Sequence, residues 1–145
     1  MKYYAAYGSN LNLEQMKNRC PSATVFGIAM LPDYELSCRG VPGRAYLTVD
    51  PKTGSQVPLG IFRIEDTDEK ELDLYEDYPA LYDKKVMDLE VTGKDGIRQT
   101  VPVLYYIMVD GYEKNPASAE YVIDCLRGYA DFDFDNRLLV KAFER

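Results

Sequence analysis

The hydrophobic period of the chain changes several times, and each change marks an element. In residues 2–7, KYYAAY, every position after Lys2 is apolar or aromatic without alternation, the pattern of a buried strand. GSN then interrupts the run, and Asn12 followed three residues on by Gln15 predicts a capping-box start to a short helix that Pro21 ends. From Thr24 to Ile64 the pattern is strand-like in four pieces, TVFGIAML, YELSC, AYLTV and VPLGIFRI, separated by turn chemistry at PD, RGVPG and DPKTG. Pro58 and Gly60 in the last piece predict a bend or a close backbone approach. The period then becomes helical. Asp66 with Glu69 marks a start, and ELDLYED carries the helix to Pro79. Two strands follow, KKVMDLEV and QTVPVLYYIM, joined by a TGKDG turn. Ser118 opens a helix through EYVIDCLRGY, and a last short helix covers residues 136–143.

Strands and helices are mixed without βαβ alternation, which predicts an α+β fold built on a small curled sheet or barrel. No repeat, low-complexity tract or linker divides residues 1–145, so one domain is expected. A hydrophobic content of 46% and thirteen tyrosines belong to a folded globule. No apolar run approaches the roughly 20 residues that cross a bilayer, so no membrane association is expected. MKYYAAYG lacks the apolar core and cleavage site of a signal peptide, which predicts a cytoplasmic protein. Cysteines 20, 38 and 125 suit a reducing compartment and form no metal-ligand pattern. A net charge of −7 disfavours a nucleic-acid partner, and no feature specifies an oligomeric state.

The chain contains no histidine. Ser-His-Asp and Cys-His nucleophile pairs are therefore excluded, and the commonest zinc ligand is missing. Acid–base chemistry near neutral pH must use a carboxylate, tyrosine, lysine or cysteine with a displaced pKa. Two stretches offer candidates. In YGSN, Gly8 can let backbone approach a ligand while the following amides, with Ser9 and Asn10, cradle a carboxylate. The competing reading is a tight turn and a helix cap. The second stretch, residues 65–77, holds eight acidic residues, most of them the solvated face of a helix. At about 100° per residue, Leu72, Tyr75, Glu76 and Pro79 share the inward stripe while Asp73 and Asp77 turn away. Glu76 then lies among tyrosines near the helix C-terminus, where desolvation and the helix dipole both raise its pKa toward the roughly 6–7 of a general acid or base. A buried ion pair is the alternative. The cysteines read as packing residues, Arg39 and Arg44 as solvated or as contacts from a mobile loop, and at least one of Tyr105 and Tyr106 as core.

YAAYGSNLNLEQMKNRCPSA, together with ELDLYEDYPALYDKK, LYYIM and SAEYVIDCLRGYADFDFD, resembles the gamma-glutamylcyclotransferase-like family, which includes the AIG2-like proteins. The resemblance covers nearly the whole chain, and YGSN followed at this distance by LDxYE is specific as a pair. It implies a small mixed β-barrel with peripheral helices. It also implies that Tyr7, Gly8, Ser9, Asn10 and Leu11 hold a glutamyl moiety, that Glu76 is the catalytic acid/base, and that Tyr82 and Tyr121 line the pocket. Where the family usually has glycine after the glutamate, this chain has Asp77, which either raises the pKa of Glu76 or reshapes the helix end.

The implied reaction is the cyclisation of a small γ-glutamyl compound to 5-oxoproline with release of an amine or amino acid. It requires no cofactor and no metal. A second expectation from a different class is a non-catalytic member of the same fold that binds a small molecule or a protein, for which an inward Glu76 has no use.

Overall fold

The computed structural model describes residues 1–144. Five strands, β1 (Lys2–Ala6), β2 (Thr24–Val41), β3 (Arg44–Ile64), β4 (Tyr82–Gly93) and β5 (Arg98–Met108), close into a barrel in the order β1-β3-β2-β4-β5. Around it lie four helices, α1 (Leu13–Arg19), α2 (Asp66–Tyr75), α3 (Ala119–Asp131) and α4 (Arg137–Glu144). β1 runs antiparallel to β3 from Lys2↔Ile64 to Ala6↔Gly60 and meets β5 in parallel at Tyr4↔Leu104, so the small mixed barrel expected from the sequence is what forms. Leu31, Leu47, Val49, Ile61 and Val103 belong to one continuous buried core. Among the described residues no helix is long and apolar enough to cross a membrane.

The four strand pieces expected between Thr24 and Ile64 are instead two long strands, paired from Thr24↔Arg63 to Val41↔Arg44. Pro32-Asp33 is a bulge rather than a turn. Asp33 adopts φ +62°, the register shifts between Pro32 and Tyr34, and the Asp33 carboxylate accepts the Gly54 amide at 3.0 Å. Residues 52–55 of β3 stand outside the register opposite the single Asp33, and pairing resumes beyond them at Tyr34↔Pro51. Prolines are tolerated here because each strand has one partner. β4 pairs with β2 only at Gly27 and Ile28, and β1 pairs with β3 only from Gly60 onward.

Helix starts follow local chemistry. The Asn12 side chain accepts the Gln15 amide, and Ser118 accepts that of Tyr121, as the sequence predicts, but the Gln15 side chain accepts from Arg19 at 3.4 Å rather than completing the expected capping box. α2 differs: its cap is Glu65, whose amide donates to Asp68 at 2.9 Å, instead of the predicted pairing of Asp66 with Glu69. Asp68 is buried and also accepts from the Ser22 hydroxyl, which ties the end of α1 to the start of α2. Two glycines allow the remaining elements to close on the loop after β1. A Cβ at Gly60 would lie 2.6 Å from Leu11 and Phe132, and one at Gly128 would lie 2.6 Å from the Asn12 amide nitrogen.

Candidate active site

β1 ends at Ala6 while β3 continues to Arg44, so around Leu47 the β3 backbone has β2 as its strand partner and an open opposite edge. Two tyrosine hydroxyls fill that edge. Tyr121 Oη accepts the Leu47 amide at 3.0 Å, and Tyr82 Oη donates to the Leu47 carbonyl at 2.6 Å. The gap leaves a cavity of about 290 Å³ bounded by the loop after β1, the end of α2 and these tyrosines.

The loop forms because a 3₁₀ turn, Ser9–Leu11, follows the strand directly. Its turn bonds run from the Leu11 amide to the Gly8 carbonyl and from the Asn12 amide to the Ser9 carbonyl. The Ser9 and Asn10 amides precede the first of these bonds and have no partner within the turn. Gly8 lines the cavity, and a Cβ there would stand 3.3 Å from Tyr121 Oη. Tyr7 donates to the Tyr106 carbonyl at 2.7 Å, and the Ser9 and Tyr75 hydroxyls are hydrogen-bonded to each other at 2.7 Å.

Glu76 is the C-cap of α2, with φ −84° and ψ 0°. The helix stops there in a Schellman turn: the Asp77 amide bonds the Leu74 carbonyl and the Tyr78 amide bonds the Asp73 carbonyl. Such a turn needs a left-handed residue just past the cap, and Asp77 supplies it at φ +50°. A glycine, which the resemblance implies at that place, would meet the same need without a Cβ. Asp77 therefore reshapes the helix end, and it is not among the groups that displace the pKa of Glu76. Burial pushes the Glu76 carboxyl up from 4.5 to about 7, with the Arg19 guanidinium pulling the other way. Its oxygens make no hydrogen bond among the described residues, so the carboxyl meets the cavity uncompensated. Burial also pushes the phenols of Tyr4, Tyr7, Tyr82 and Tyr121 well above 10, so they stay protonated.

Tyr7, Gly8, Ser9, Asn10, Glu76, Tyr82 and Tyr121 all line this one cavity. Leu11 does not. Its side chain is fully buried beneath the loop, against the faces of Gly60 and Gly128, and anchors the loop from behind. The helical stripe also differs from expectation because α2 ends at Tyr75. Pro79 falls outside the helical period and is exposed, Asp77 reaches the cavity, and Asp73 is half-buried in hydrogen bonds instead of facing water. Arg39 pairs with Asp50 and the Tyr112 carbonyl, and Arg44 is exposed, so neither enters the cavity. Cys20, Cys38 and Cys125 are buried and free, with burial pushing the first two thiols to about 11.

Sequence reasoning missed Tyr4, Tyr46, Tyr106 and Arg19. Arg19 closes α1 with its guanidinium 3.4 Å above the Tyr75 ring and donates to the Asn10 side-chain carbonyl. That fixes the Asn10 amide, whose nitrogen then donates to Tyr4 Oη at 2.9 Å. Tyr4 lies three residues before Tyr7, a spacing that strand alternation puts on opposite faces, so the β1 pattern gave no signal for it. Tyr106 comes from β5, remote in sequence from the loop, while Arg19 ends the helix next to it and meets Tyr75 only through the fold.

A family model described as gamma-glutamyl cyclotransferase, AIG2-like, matches residues 4–123. Among curated proteins none matches the chain with significance. Among solved structures, one described as gamma-glutamyl cyclotransferase superposes with a TM-score of 0.74 at 24% identity, covering 99% of this chain and 84% of that one. An uncharacterized protein of Homo sapiens gives 0.74 at 25% identity over the same shares of the two chains. An AIG2-like protein from Mus musculus gives 0.61 at 19% identity, covering 84% of this chain and 82% of that one. The family match spans both the strand–loop–helix that builds the cradle and the helix end that carries Glu76, and the chain belongs to the gamma-glutamyl cyclotransferase, AIG2-like, family.

Proposed function

We propose that this protein is a γ-glutamylcyclotransferase-type enzyme that converts a small γ-glutamyl compound to 5-oxoproline and a free amine or amino acid. The observation that carries the proposal is Glu76, a carboxyl raised to about 7 and left without a protein partner at the wall of a tyrosine-lined cavity. A purely structural glutamate in that position costs stability and returns nothing, whereas a base needs this environment.

The reaction closes a ring within one molecule. Glu76 takes a proton from the substrate α-ammonium, and the freed amine attacks the γ-carbonyl carbon, forming the ring C–N bond and an oxyanion. As the oxyanion collapses, Glu76 hands that proton to the leaving nitrogen and the original amide C–N bond breaks; the second proton of the former ammonium then passes from the ring nitrogen, again through Glu76, to the released amine, which departs as its ammonium. No enzyme nucleophile is required, and holding amine and carbonyl in contact supplies an effective molarity of up to about 10⁵–10⁸ M. The Ser9 and Asn10 amides suit a substrate carboxylate or the oxyanion.

Assaying a panel of γ-glutamyl amino acids, peptides and amines for 5-oxoproline tests the proposal. One or more should turn over, and Glu76→Gln should lower that turnover by about 10²–10⁴-fold. Absence of 5-oxoproline from every compound, or a fully active Glu76→Gln, overturns it.

A further inference from the structure

The phenols around the cavity have their protons directed by the protein, and the direction differs from one to the next. Tyr7 donates to the Tyr106 carbonyl at 2.7 Å, and Tyr82 donates to the Leu47 carbonyl at 2.6 Å. Tyr106 Oη donates to Asp73 Oδ1 at 2.6 Å, a short bond to a carboxyl that Lys84 also holds. A phenol has a single proton, so each of these three oxygens keeps only lone pairs for anything in the cavity. Tyr4 and Tyr121 are the reverse: the Tyr4 oxygen accepts from Asn10 and the Tyr121 oxygen from the Leu47 amide, so neither proton is spent on those bonds. Three of the phenols that face Glu76, those of Tyr7, Tyr82 and Tyr106, therefore present acceptors to it. That is the complement of an ammonium, which carries only donors.

Two of the three acceptors are fixed by backbone carbonyls, which cannot be removed. Tyr106 depends on one side chain. Asp73 lies one turn before Glu76 on α2, does not line the cavity, and is held by Lys84 Nζ at 3.1 Å. Lys84 also binds Glu69 at 2.8 Å, and Glu69 binds Lys2 at 2.6 Å, so three elements pin the carboxylate from behind. We propose that Asp73 is a positioning residue: by taking the Tyr106 proton it presents the phenol oxygen as an acceptor for the substrate ammonium and keeps that proton off Glu76. The ammonium half of this statement rests on the proposed function, while the direction of the proton does not.

Removing Asp73 frees the Tyr106 proton to turn into the cavity and donate to the Glu76 carboxylate, which favours the charged form. The groups facing Glu76 are Arg19 from α1, Tyr4 from β1, Tyr7 from the loop, Tyr82 from β4 and Tyr106 from β5, with Tyr75 on its own helix. Lys84 and Tyr106 face Asp73.

Carboxyl ¹³C NMR titration of Glu76 in ligand-free protein gives the test. It is run on wild type, Asp73→Ala, Tyr106→Phe and the double variant. Loss of the Asp73 charge acts in both arms of this cycle and cancels, leaving the redirected proton as the coupling. The Glu76 titration in Asp73→Ala should move down by about one pH unit relative to wild type, and adding Tyr106→Phe should restore most of it. With a turned-over γ-glutamyl compound, KM should rise about tenfold in Asp73→Ala and in Tyr106→Phe, with no further rise in the double variant. Zero coupling in the titration overturns the role of Asp73 even if the enzyme is active. Coupling present with no 5-oxoproline from any compound leaves the proton direction standing and refutes the reaction instead.

Discussion

Glu76→Gln should stabilise the folded protein at neutral and alkaline pH while it abolishes turnover. Folded Glu76 holds its proton up to about pH 7, whereas an unhindered glutamate in the unfolded chain releases it near 4.5. A group whose folded pKa is raised contributes its full stabilisation below the unfolded value and loses it as pH climbs through the folded one. Between pH 4.5 and about 7 the unfolding free energy of the wild type therefore falls through this single residue. Each tenfold difference in proton affinity is about 1.4 kcal/mol, so the loss across that window is roughly 3 kcal/mol. Glutamine has the same shape and does not titrate, so it carries no such slope. Urea unfolding of both proteins at several pH values measures the difference directly. Any fixed cost or gain of the amide cancels when the two curves are subtracted. The variant should gain on the wild type by roughly 3 kcal/mol between pH 4.5 and 8, all of it below about pH 7.5. A difference that stays flat with pH, or one that favours the wild type as pH rises, would show that the Glu76 carboxyl is not desolvated, and the case for a base at this position fails with it.

Other substitutions probe the remaining parts of the site. Gly8→Val places a branched side chain where a Cβ already stands 3.3 Å from Tyr121 Oη, so ligand binding measured by calorimetry should weaken at least tenfold while circular dichroism stays native; unchanged affinity removes the loop from the site. Asp77→Gly relieves a left-handed residue at φ +50° and removes an anion from a helix C-terminus, which should raise the unfolding free energy by roughly 1 kcal/mol in a urea titration; a loss of stability contradicts the Schellman assignment. Changing Cys20, Cys38 and Cys125 together to alanine or serine should leave turnover intact wherever thermal unfolding shows a folded protein, because their buried thiols are held protonated; a folded but inactive variant would point to a thiol in the chemistry.

Local chemistry alone was enough for several features. Asn12, Ser118 and the Gly-Ser-Asn interruption act through groups within a few residues, so caps, helix starts and the strand-to-loop junction are legible in the sequence. The absence of histidine narrowed the chemistry before any fold was known. Glu76 was legible because an inward carboxylate at a helix end follows from the helical period. That same period misplaced Pro79 and Asp73, since it carries no record of where the Schellman turn stops the helix or of what waits opposite each side chain. Tertiary structure decided the rest. Whether Pro32-Asp33 turns or bulges depends on the four unpaired residues opposite it, about twenty positions away in β3. Leu11 was read with the loop it follows, yet its side chain is claimed by Gly60 and Gly128, two glycines that mark nothing until β3 and α3 close over it. The burial that raises Glu76, the stacking of Arg19 on Tyr75 and the proton of Tyr106 all arise from segments far apart in the chain meeting across a gap in the barrel. A sequence pattern states which face of an element is buried, and only the packed fold states what that face meets.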